Sequence, residues 1–428
     1  MSKKPTLALL LALPLLLCCG NPARKTDAPV QEKRIPELLA AVPSDALGVI
    51  CFDRCAEGLR LYDSTSVLQK LDLSDFKNAR MALSLCYNGS LVPVLALDTH
   101  RAEADSAAAL KALTEQAASL KVFSHYFEPD PAAGRQGMLI LSPSEAQITA
   151  VRRHVTQHTS ILDAPYFRQA LSAAGGDDFV IYRNSGAERL APKGWMQEFF
   201  PRRELTGFLR QLADWTVLTP ASDGFSVQPV QGPADSYFAN ILSLLPFSDS
   251  RLGAVLPDSV RFALALPVSN PAFREAFERW QDASVKMTRY RRTLDALRKE
   301  SGKDPLKWEK EIDVRELALV RDGEGRAVVL VRPGKAVADR PAGENPWRGF
   351  IPTLYGSAFT LADDSCEAAR DGWYVYGSPA DVQAWLDAKR PETASKWPGK
   401  GCRFIIYEPE RTLTWGKKGL RLTWNTNQ

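Results

Sequence analysis

The sequence predicts an α+β fold of two tandem repeats, each a mostly antiparallel sheet with helices packed on it. Strand and helix patterns recur in the same order in residues 35–232 and in residues 233–428. Each half contains two tight hairpins, which join antiparallel neighbours because parallel strands need a longer crossover. Helical segments between the strands supply the layers that cover a sheet. Recurrence in a fixed order indicates an internal duplication.

Each repeat opens with a short apolar strand that follows a proline. Val42–Ala46 (VPSDA) precedes a strand predicted over 47–52, and Leu256–Val260 (LPDSV) precedes one over 262–266. The strands of the next hairpins are predicted over 81–87, 91–97, 314–320 and 327–331. Asn88-Gly89 favours a type I′ turn in the first hairpin, because both positions need positive φ. The second hairpin has its turn residues at 322–325.

Three further landmarks follow in both halves. They are the strand, Ser-Pro and helix of 137–147 and 372–383, the strands 178–182 and 403–407, and the closing hairpins 215–227 and 413–424. The Ser-Pro pair suits a helix start, since Ser caps and Pro is tolerated in the first turn. Duplication therefore predicts that Pro43 superposes on Pro257, Ser142-Pro143 on Ser378-Pro379, and Tyr182 on Tyr407. The closing hairpins could also join the halves into one continuous sheet near Gly232.

Unequal helical insertions distinguish the halves. The first half is expected to have extra helix between Gly186 and Ala213, and the second a single long helix over 271–300. Apolar residues in that helix recur at spacings of three, four and seven, at Phe273, Phe277, Trp280, Met287, Tyr290, Leu294 and Leu297. Such a stripe faces a core. Its other side is basic at Arg289, Arg291, Arg292, Arg298 and Lys299, which indicates either a solvated face or a patch for anionic lipid or an acidic partner.

The N-terminus has the pattern of an exported, lipid-anchored protein. Lys3 and Lys4 precede an apolar run over 6–17, which is too short to span a bilayer and fits a signal peptide. The next residues, Leu16-Leu17-Cys18-Cys19-Gly20, resemble the lipobox of bacterial lipoproteins. A lipobox has a small residue just before the modified Cys. Cys19 fits this position better than Cys18, because Cys18 is preceded by Leu17. We therefore expect a signal peptide over 1–18 and a lipidated Cys19 with a flexible tether over 19–34.

Composition excludes some partners. Removing residues 1–18 lowers the formal net charge from +4 to +2, so the mature part is nearly neutral. We expect no nucleic-acid partner, because such a partner would usually require a strongly basic face. Five cysteines remain after the anchor pair, at Cys51, Cys55, Cys86, Cys366 and Cys402. An oxidising compartment permits disulfides, with Cys51–Cys86 and Cys366–Cys402 as candidates, but buried thiols are the alternative.

No pattern of catalytic residues is complete in this chain. GxSxG, P-loop, GxGxxG and HExxH motifs are absent from the sequence. His154 and His158 are four apart on a predicted helix, which suits one metal ion, but no third ligand is evident. The acid pairs Asp177-Asp178 and Asp363-Asp364 lie beside strands, where such residues usually form turns. We expect no metal, no cofactor and no catalytic site.

Together, the anchor and the VPSDA opening resemble lipoproteins of Bacteroidota-type bacteria that carry a domain of unknown function opening with a V-P-x-D-A strand. The resemblance implies an acylated (palmitate-bearing) lipoprotein of the cell envelope and supplies no catalytic residues. In the lipoproteins that this chain resembles, surface export goes with an acidic run just after the Cys. No such run follows Cys19, so the resemblance implies an outer-membrane anchor facing the periplasm. The leading hypothesis is a non-enzymatic binding or assembly factor with an envelope protein partner. The alternatives are a periplasmic ligand-binding protein that uses the cleft between the repeats, and an unrecognised hydrolase.

Overall fold

An antiparallel sheet of 17 strands dominates the part of the chain that the structure describes. The structure is a computed structural model that describes residues 37–62, 65–101, 106–129, 137–190, 212–230, 238–390 and 397–425. The compact unit that contains the sheet extends from Glu37 to Gln428. The expected signal peptide, Cys19 and the tether lie outside the described residues. No helix among the described residues combines the length and apolar character needed to cross a bilayer.

The strands of the first half are β1 (Gly48–Phe52), β2 (Met81–Asn88), β3 (Ser90–Asp98), β4 (Phe123–Phe127), β5 (Met138–Ser142), β6 (Phe179–Arg183), β7 (Trp215–Ala221) and β8 (Gly224–Val230). Those of the second half are β9 (Val260–Pro267), β10 (Glu316–Asp322), β11 (Ala327–Arg332), β12 (Arg340–Glu344), β13 (Cys366–Arg370), β14 (Trp373–Gly377), β15 (Cys402–Glu408), β16 (Arg411–Gly416) and β17 (Gly419–Trp424). The predicted antiparallel strands are therefore present, with small changes at their ends.

The helices of the first half are α1 (Cys55–Leu59), α2 (Ser106–Ser119), α3 (Glu145–Thr156), α4 (Phe167–Ala173) and α5 (Ala187–Leu190). Those of the second half are α6 (Phe238–Leu244), α7 (Asn270–Ala283), α8 (Met287–Ser301), α9 (Pro305–Ile312), α10 (Phe350–Tyr355) and α11 (Pro379–Asp387). Most of the extra helix expected between Gly186 and Ala213 falls outside the described residues.

Neighbouring strands follow one another across the sheet in the order β4-β5-β3-β2-β1-β6-β7-β8-β17-β16-β15-β9-β10-β11-β14-β13-β12. The first eight strands belong to the first half and the last nine to the second. Within the described residues, the ladder between β8 and β17 is the pairing that joins the halves. The closing hairpins thus make the sheet continuous, as the sequence suggested.

Seven strands of each half are connected in the same order. Strands of the two halves can be matched by the neighbours with which they pair. On this basis β1 corresponds to β9, β2 to β10, β3 to β11, β5 to β14, β6 to β15, β7 to β16 and β8 to β17. One row of directly paired residues in the first half is Leu141, Leu95, Leu83, Ile50, Val180, Leu218 and Val227. The row of the second half is Tyr376, Val329, Leu319, Leu264, Ile406, Leu413 and Leu422.

Within each half, helices or other segments pack on both faces of the sheet, which accounts for its apolar strands. One face carries a core that runs through both halves beneath α1, α2 and α6–α10. The opposite face carries two separate cores. The first lies beneath α3 and α4, and the second lies beneath α11 and the segment around Leu252. Burial of these alternating side chains determines the register, because a shift of one residue would move each side chain to the other face.

The long helix predicted over 271–300 is wrong, since α7 ends at Ala283 and α8 begins at Met287. Val285, between them, has φ of +57° and cannot continue a right-handed helix. The break also explains how the apolar residues of both helices reach one core. At 100° per residue, an unbroken helix would place Tyr290 and Leu294 about 100° away from the face of Phe273 and Phe277. The turn allows both groups to reach the same core.

The pairing of Tyr182 with Tyr407 is shifted by one residue. Tyr182 belongs to the core shared by both halves, whereas Tyr407 packs on the opposite face. The ladders relate Val180 to Ile406, and therefore Tyr182 to Glu408. Local sequence similarity suggested the other alignment, because both strands are apolar and end near a tyrosine.

The Ser-Pro landmark is also shifted. The N-cap of α11 is Ser378, whose hydroxyl accepts a hydrogen bond from the N–H of Asp381. In the first half, Ser144 is the N-cap of α3. Ser142 instead donates to the carbonyl of Pro93 at 2.8 Å. The expected type I′ turn is likewise absent, since Gly89 has positive φ and Asn88 does not.

Candidate functional site

The middle of the sheet has a polar surface on the face opposite the shared core. Residues alternate along β8 and β17, so that Phe225, Val227 and Leu422 enter the shared core. Their neighbours in sequence, Ser226 and Arg421, point the other way and form a direct cross-strand pair. Thr219 and Thr414 extend this row on β7 and β16. A row of hydroxyls around one guanidinium thus crosses the junction between the halves.

Among the residues that the structure describes, this surface is open, because the two covering layers stop on either side of it. The first-half layer ends where the N–H of Gly175 donates to Thr219 Oγ1 at 3.2 Å. The second-half layer ends at Trp397, whose ring lies 5.6 Å from that of Tyr407. Between these limits Ser226 is exposed. The uncovered strip is therefore a groove with the sheet as its floor.

One part of this groove, over β16, β17 and the segment 398–401, has a volume of about 1040 Å³, counting space open to solvent. We call it the central groove. Its cationic side chains are Lys400, Lys417, Lys418 and Arg421, and Asp249 is the acid in its lining. Asp249 accepts a hydrogen bond from the N–H of Gly401 at 2.8 Å. Arg421 is paired with Asp223 at 3.2 Å. Within the described residues, no ion pair engages the three lysines, so the rim is positively charged.

A hydroxyl of the floor lacks a protein partner. Thr414 Oγ1 is buried and has no hydrogen-bond partner among the described residues. Its neighbour Thr423 donates to the carbonyl of Thr412 at 3.4 Å. A buried hydroxyl without a partner costs stability unless a ligand or water satisfies it. Thr414 therefore lines the groove with a buried hydroxyl whose hydrogen-bonding capacity no described residue uses.

The wall beside Asp249 is held by a buried carboxylate. Glu316 is fully buried and accepts hydrogen bonds from the hydroxyl of Ser250, the N–H of Arg251 at 2.9 Å and the guanidinium of Arg332 at 3.2 Å. Burial raises the pKa of Glu316 above its usual range, although these donors oppose the rise. Ser250 also accepts from the indole of Trp397 at 2.8 Å. The serine oxygen is thus engaged on several sides, which suits a structural anchor and not a nucleophile.

The structure does not bring the histidine pair together as a metal site. Helix α3 ends at Thr156, so His158 lies beyond it with φ of +54°. His154 Nδ1 lies 2.9 Å from Thr159 Oγ1. No group of three candidate metal ligands occurs among the described residues.

The acid pairs serve the backbone of turns. Asp178 accepts a hydrogen bond from the N–H of Asp53 at 2.7 Å. Asp364 accepts from the N–H of Gly349 at 2.7 Å, and Asp363 accepts from that of Ser365 at 2.8 Å. These contacts agree with the turn role predicted for such residues.

The candidate disulfides are absent, since all five described cysteines are free thiols. Cys51 lies opposite Ala82, whereas Cys86 lies opposite Val92, so the two proposed partners are not neighbours on β1 and β2. Burial raises the pKa of Cys55, Cys86 and Cys402 to about 12, the last two also under the influence of nearby charges and hydrogen bonds. These thiols are protonated and unreactive at neutral pH.

The central groove was not predicted from the sequence. Its local signal is the Lys417-Lys418 turn between two short strands. Lys400 comes from a separate segment, which the tertiary structure places beside β16 and β17. Comparison of the chain with protein-family models, with curated proteins and with solved structures found no match.

Proposed function

We propose that this protein is a lipid-anchored envelope binding protein whose central groove receives an acidic segment of a partner protein. In this proposal Cys19 carries the acyl chains and holds the protein at the outer membrane, facing the periplasm. The observation that supports binding is the central groove: an uncovered polar floor with three rim lysines that no described acid engages. Catalysis is no part of the proposal, because the serine closest to a buried carboxylate is held as an anchor.

We also propose that the two halves arose by duplication of one unit. Shared strand order and the two matching rows of paired residues support this. The β8–β17 ladder supports it further, because Phe225 pairs with Leu422 and Val227 pairs with Leu420. If Phe225 corresponds to Leu420 and Val227 to Leu422, the two pairs exchange under a two-fold rotation. An isologous contact has this property.

Duplication places the central groove near the pseudo-two-fold axis but gives it asymmetric charge. Under the same correspondence, the turn Ser222-Asp223 of the first half matches Lys417-Lys418 of the second. One half thus presents an acidic turn and the other a basic one. The unequal turns make the charge around the groove asymmetric and leave its rim with a net positive charge.

The anchor is tested by Cys19→Ala. We expect this variant to move from the membrane fraction into the soluble envelope fraction, because several acyl chains on one Cys make attachment effectively permanent. Fractionation of cells followed by immunoblotting measures the change. A processed Cys19→Ala protein that stays with the membranes would refute the anchor at this residue.

The groove is tested by giving the basic turn the residues of its counterpart, as Lys417→Ser with Lys418→Asp. We expect affinity for a fluorescein-labelled oligoglutamate peptide to fall by about 10- to 100-fold, since three charge units change and each exposed contact contributes about 0.5–1 kcal/mol. Fluorescence anisotropy at about 0.1 M salt, where the Debye length is about 10 Å, measures affinity. Wild-type binding should also weaken as salt screens the rim.

The matched control makes the same charge change elsewhere, as Lys70→Ser with Lys335→Asp, two exposed lysines that do not line the groove. Affinity should then stay within about threefold of wild type, because charges beyond a Debye length are screened. Equal losses in both variants, or no wild-type binding, would contradict a specific groove. Thr414→Val adds a second readout, since removing a hydroxyl without a protein partner should leave stability unchanged or improved.

A further inference from the structure

A basic stripe runs along the solvent side of α8. Tyr290 and Leu294 bury the inner side of this helix. On the other side, Arg289, Arg292 and Lys299 follow a spacing of three and seven residues, and all three are exposed. Residues at this spacing share one face of a helix. Within the described residues none of the three has an ion pair.

An exposed apolar residue stands at the start of this stripe. Val285 is 92% exposed, more than any other large apolar residue in the described chain. Its φ of +57° is rare for a β-branched side chain, because Cβ crowds the backbone there. The next residue, Lys286, has its ammonium 4.9 Å from the ring centroid of Trp280. The tip of the turn thus combines an apolar side chain with a cation.

Acidic side chains do not neutralise the stripe. Asp295 is engaged by Arg298 at 2.9 Å. Asp282 and Glu300 are exposed near the two ends of α8. Arg291, on the flank of the helix, adds a further exposed cation. The surface of α8 therefore keeps a positive charge over about three turns.

We propose that the Val285 turn and the basic stripe of α8 dock on an anionic lipid surface. Arg289, Arg292 and Lys299 would contact headgroup phosphates, and Val285 would enter the interfacial layer. Cations next to an exposed apolar side chain are the arrangement by which interfacial helices bind anionic bilayers. The inference rests on the proposed anchor, since a tether of about 15 residues has a mean reach of roughly 20 Å and holds the folded part beside the membrane.

Docking is tested with a fluorescent label on the turn. Val285→Cys is labelled with an environment-sensitive dye, and the buried native thiols leave that site selective. The lipidated full chain is placed in vesicles with or without phosphatidylglycerol. We expect the emission to rise about twofold and shift to the blue only in the anionic vesicles, since interfacial burial removes the dye from water. The same label at Glu324→Cys, on an exposed hairpin of the second half, should not respond.

A second test removes the anchor and retains the stripe. The mature chain with Cys19→Ala is measured by flotation with phosphatidylglycerol vesicles. Adding Arg289→Gln, Arg292→Gln and Lys299→Gln should lower its partition coefficient by about 100-fold, since each basic residue near an anionic surface contributes roughly a factor of five. Lys70→Gln, Lys335→Gln and Lys389→Gln make the same charge change at scattered exposed sites, and should lower it by less than about fivefold.

The outcomes separate docking from anchoring. A silent Val285 label while the lipidated chain still floats with anionic vesicles would overturn docking and leave the anchor intact. Failure of the lipidated chain to float with vesicles would refute the anchor, and the Cys19→Ala chain would still decide docking. Equal losses for the two triple variants would also overturn docking, because binding would then depend only on net charge.

Discussion

Replacing Gly224 with alanine is expected to lower the free energy of unfolding by about 3–5 kcal/mol, since overpacking and backbone strain act together. Gly224 begins β8 and has φ of +147°, in a region that favours glycine. A Cβ built there would lie 2.0 Å from the carbonyl oxygen of Leu422. The Cβ is fixed to the backbone of β8, and the oxygen belongs to the backbone of β17. The contact can therefore be relieved only by moving the strands apart.

The consequence should reach beyond one turn, because Gly224 lies in the ladder that joins the halves. Thr423 pairs directly with Gly224, and Leu422 pairs with Phe225. Separating β8 from β17 would expose Phe225 and Leu422, which belong to the shared core. Both halves should therefore lose stability together.

Gly419 is the matched control, since it begins β17 as Gly224 begins β8. It also has positive φ, +98°, but a Cβ there would meet nothing within 4 Å. Gly419→Ala should cost only the backbone strain, about 1–2 kcal/mol. Urea unfolding followed by circular dichroism measures both variants. Equal destabilisation of the two would show that the close approach to Leu422 is unimportant and would contradict the prediction.

Breaking the buried ion pair of Arg274 and Glu309 is the second large effect, with an expected loss of about 3–5 kcal/mol for Arg274→Met. The guanidinium donates to both carboxylate oxygens, at 2.9 and 2.7 Å. It also donates to the carbonyl of Leu354 at 2.8 Å and to the hydroxyl of Tyr290 at 2.9 Å. One side chain of α7 thus connects α8, α9 and α10.

The cost arises from the partner that remains. The side chain of Glu309 is only 5% exposed, so without Arg274 it would be a buried carboxylate lacking its cation. Arg274→Met with Glu309→Leu removes both charges. We expect this double variant to be more stable than Arg274→Met, because replacing a buried pair with apolar residues is often neutral. A double-mutant cycle measured by chemical denaturation gives the coupling energy between Arg274 and Glu309. Strictly additive losses of unfolding free energy in the single and double variants would refute this prediction.

Local patterns were sufficient for the strands and most turns. Alternating apolar residues predicted the opening strands and the closing hairpins close to their observed bounds, because burial of one face imposes a period of two. The strands β4, β12 and β13 were missed. Every residue of β12 is exposed, and its sequence Arg340–Glu344 (RPAGE) carries no apolar alternation. A strand that buries no side chain leaves no such signal.

The break between α7 and α8 shows a second limit. Spacing alone favoured one helix, since each segment has its own apolar stripe. The apolar faces of the two segments point about 100° apart on one continuous helix. This angle requires a break only because both faces must contact the same core. A similar reason explains the shifted tyrosines, because the face of each strand depends on its neighbours in the sheet.

The sequence by itself determined the order of the strands that carry an apolar pattern, their antiparallel hairpins and the signal-peptide and lipobox pattern at the N-terminus. Each depends on residues close together in the chain. The sequence left open whether the closing hairpins join the halves. The tertiary structure decided that β8 pairs with β17, and it placed Lys400 beside the Lys417-Lys418 turn. Phe225 and Leu422 are nearly 200 positions apart. Pairing over such a distance depends on burial shared by both halves, which no local period records.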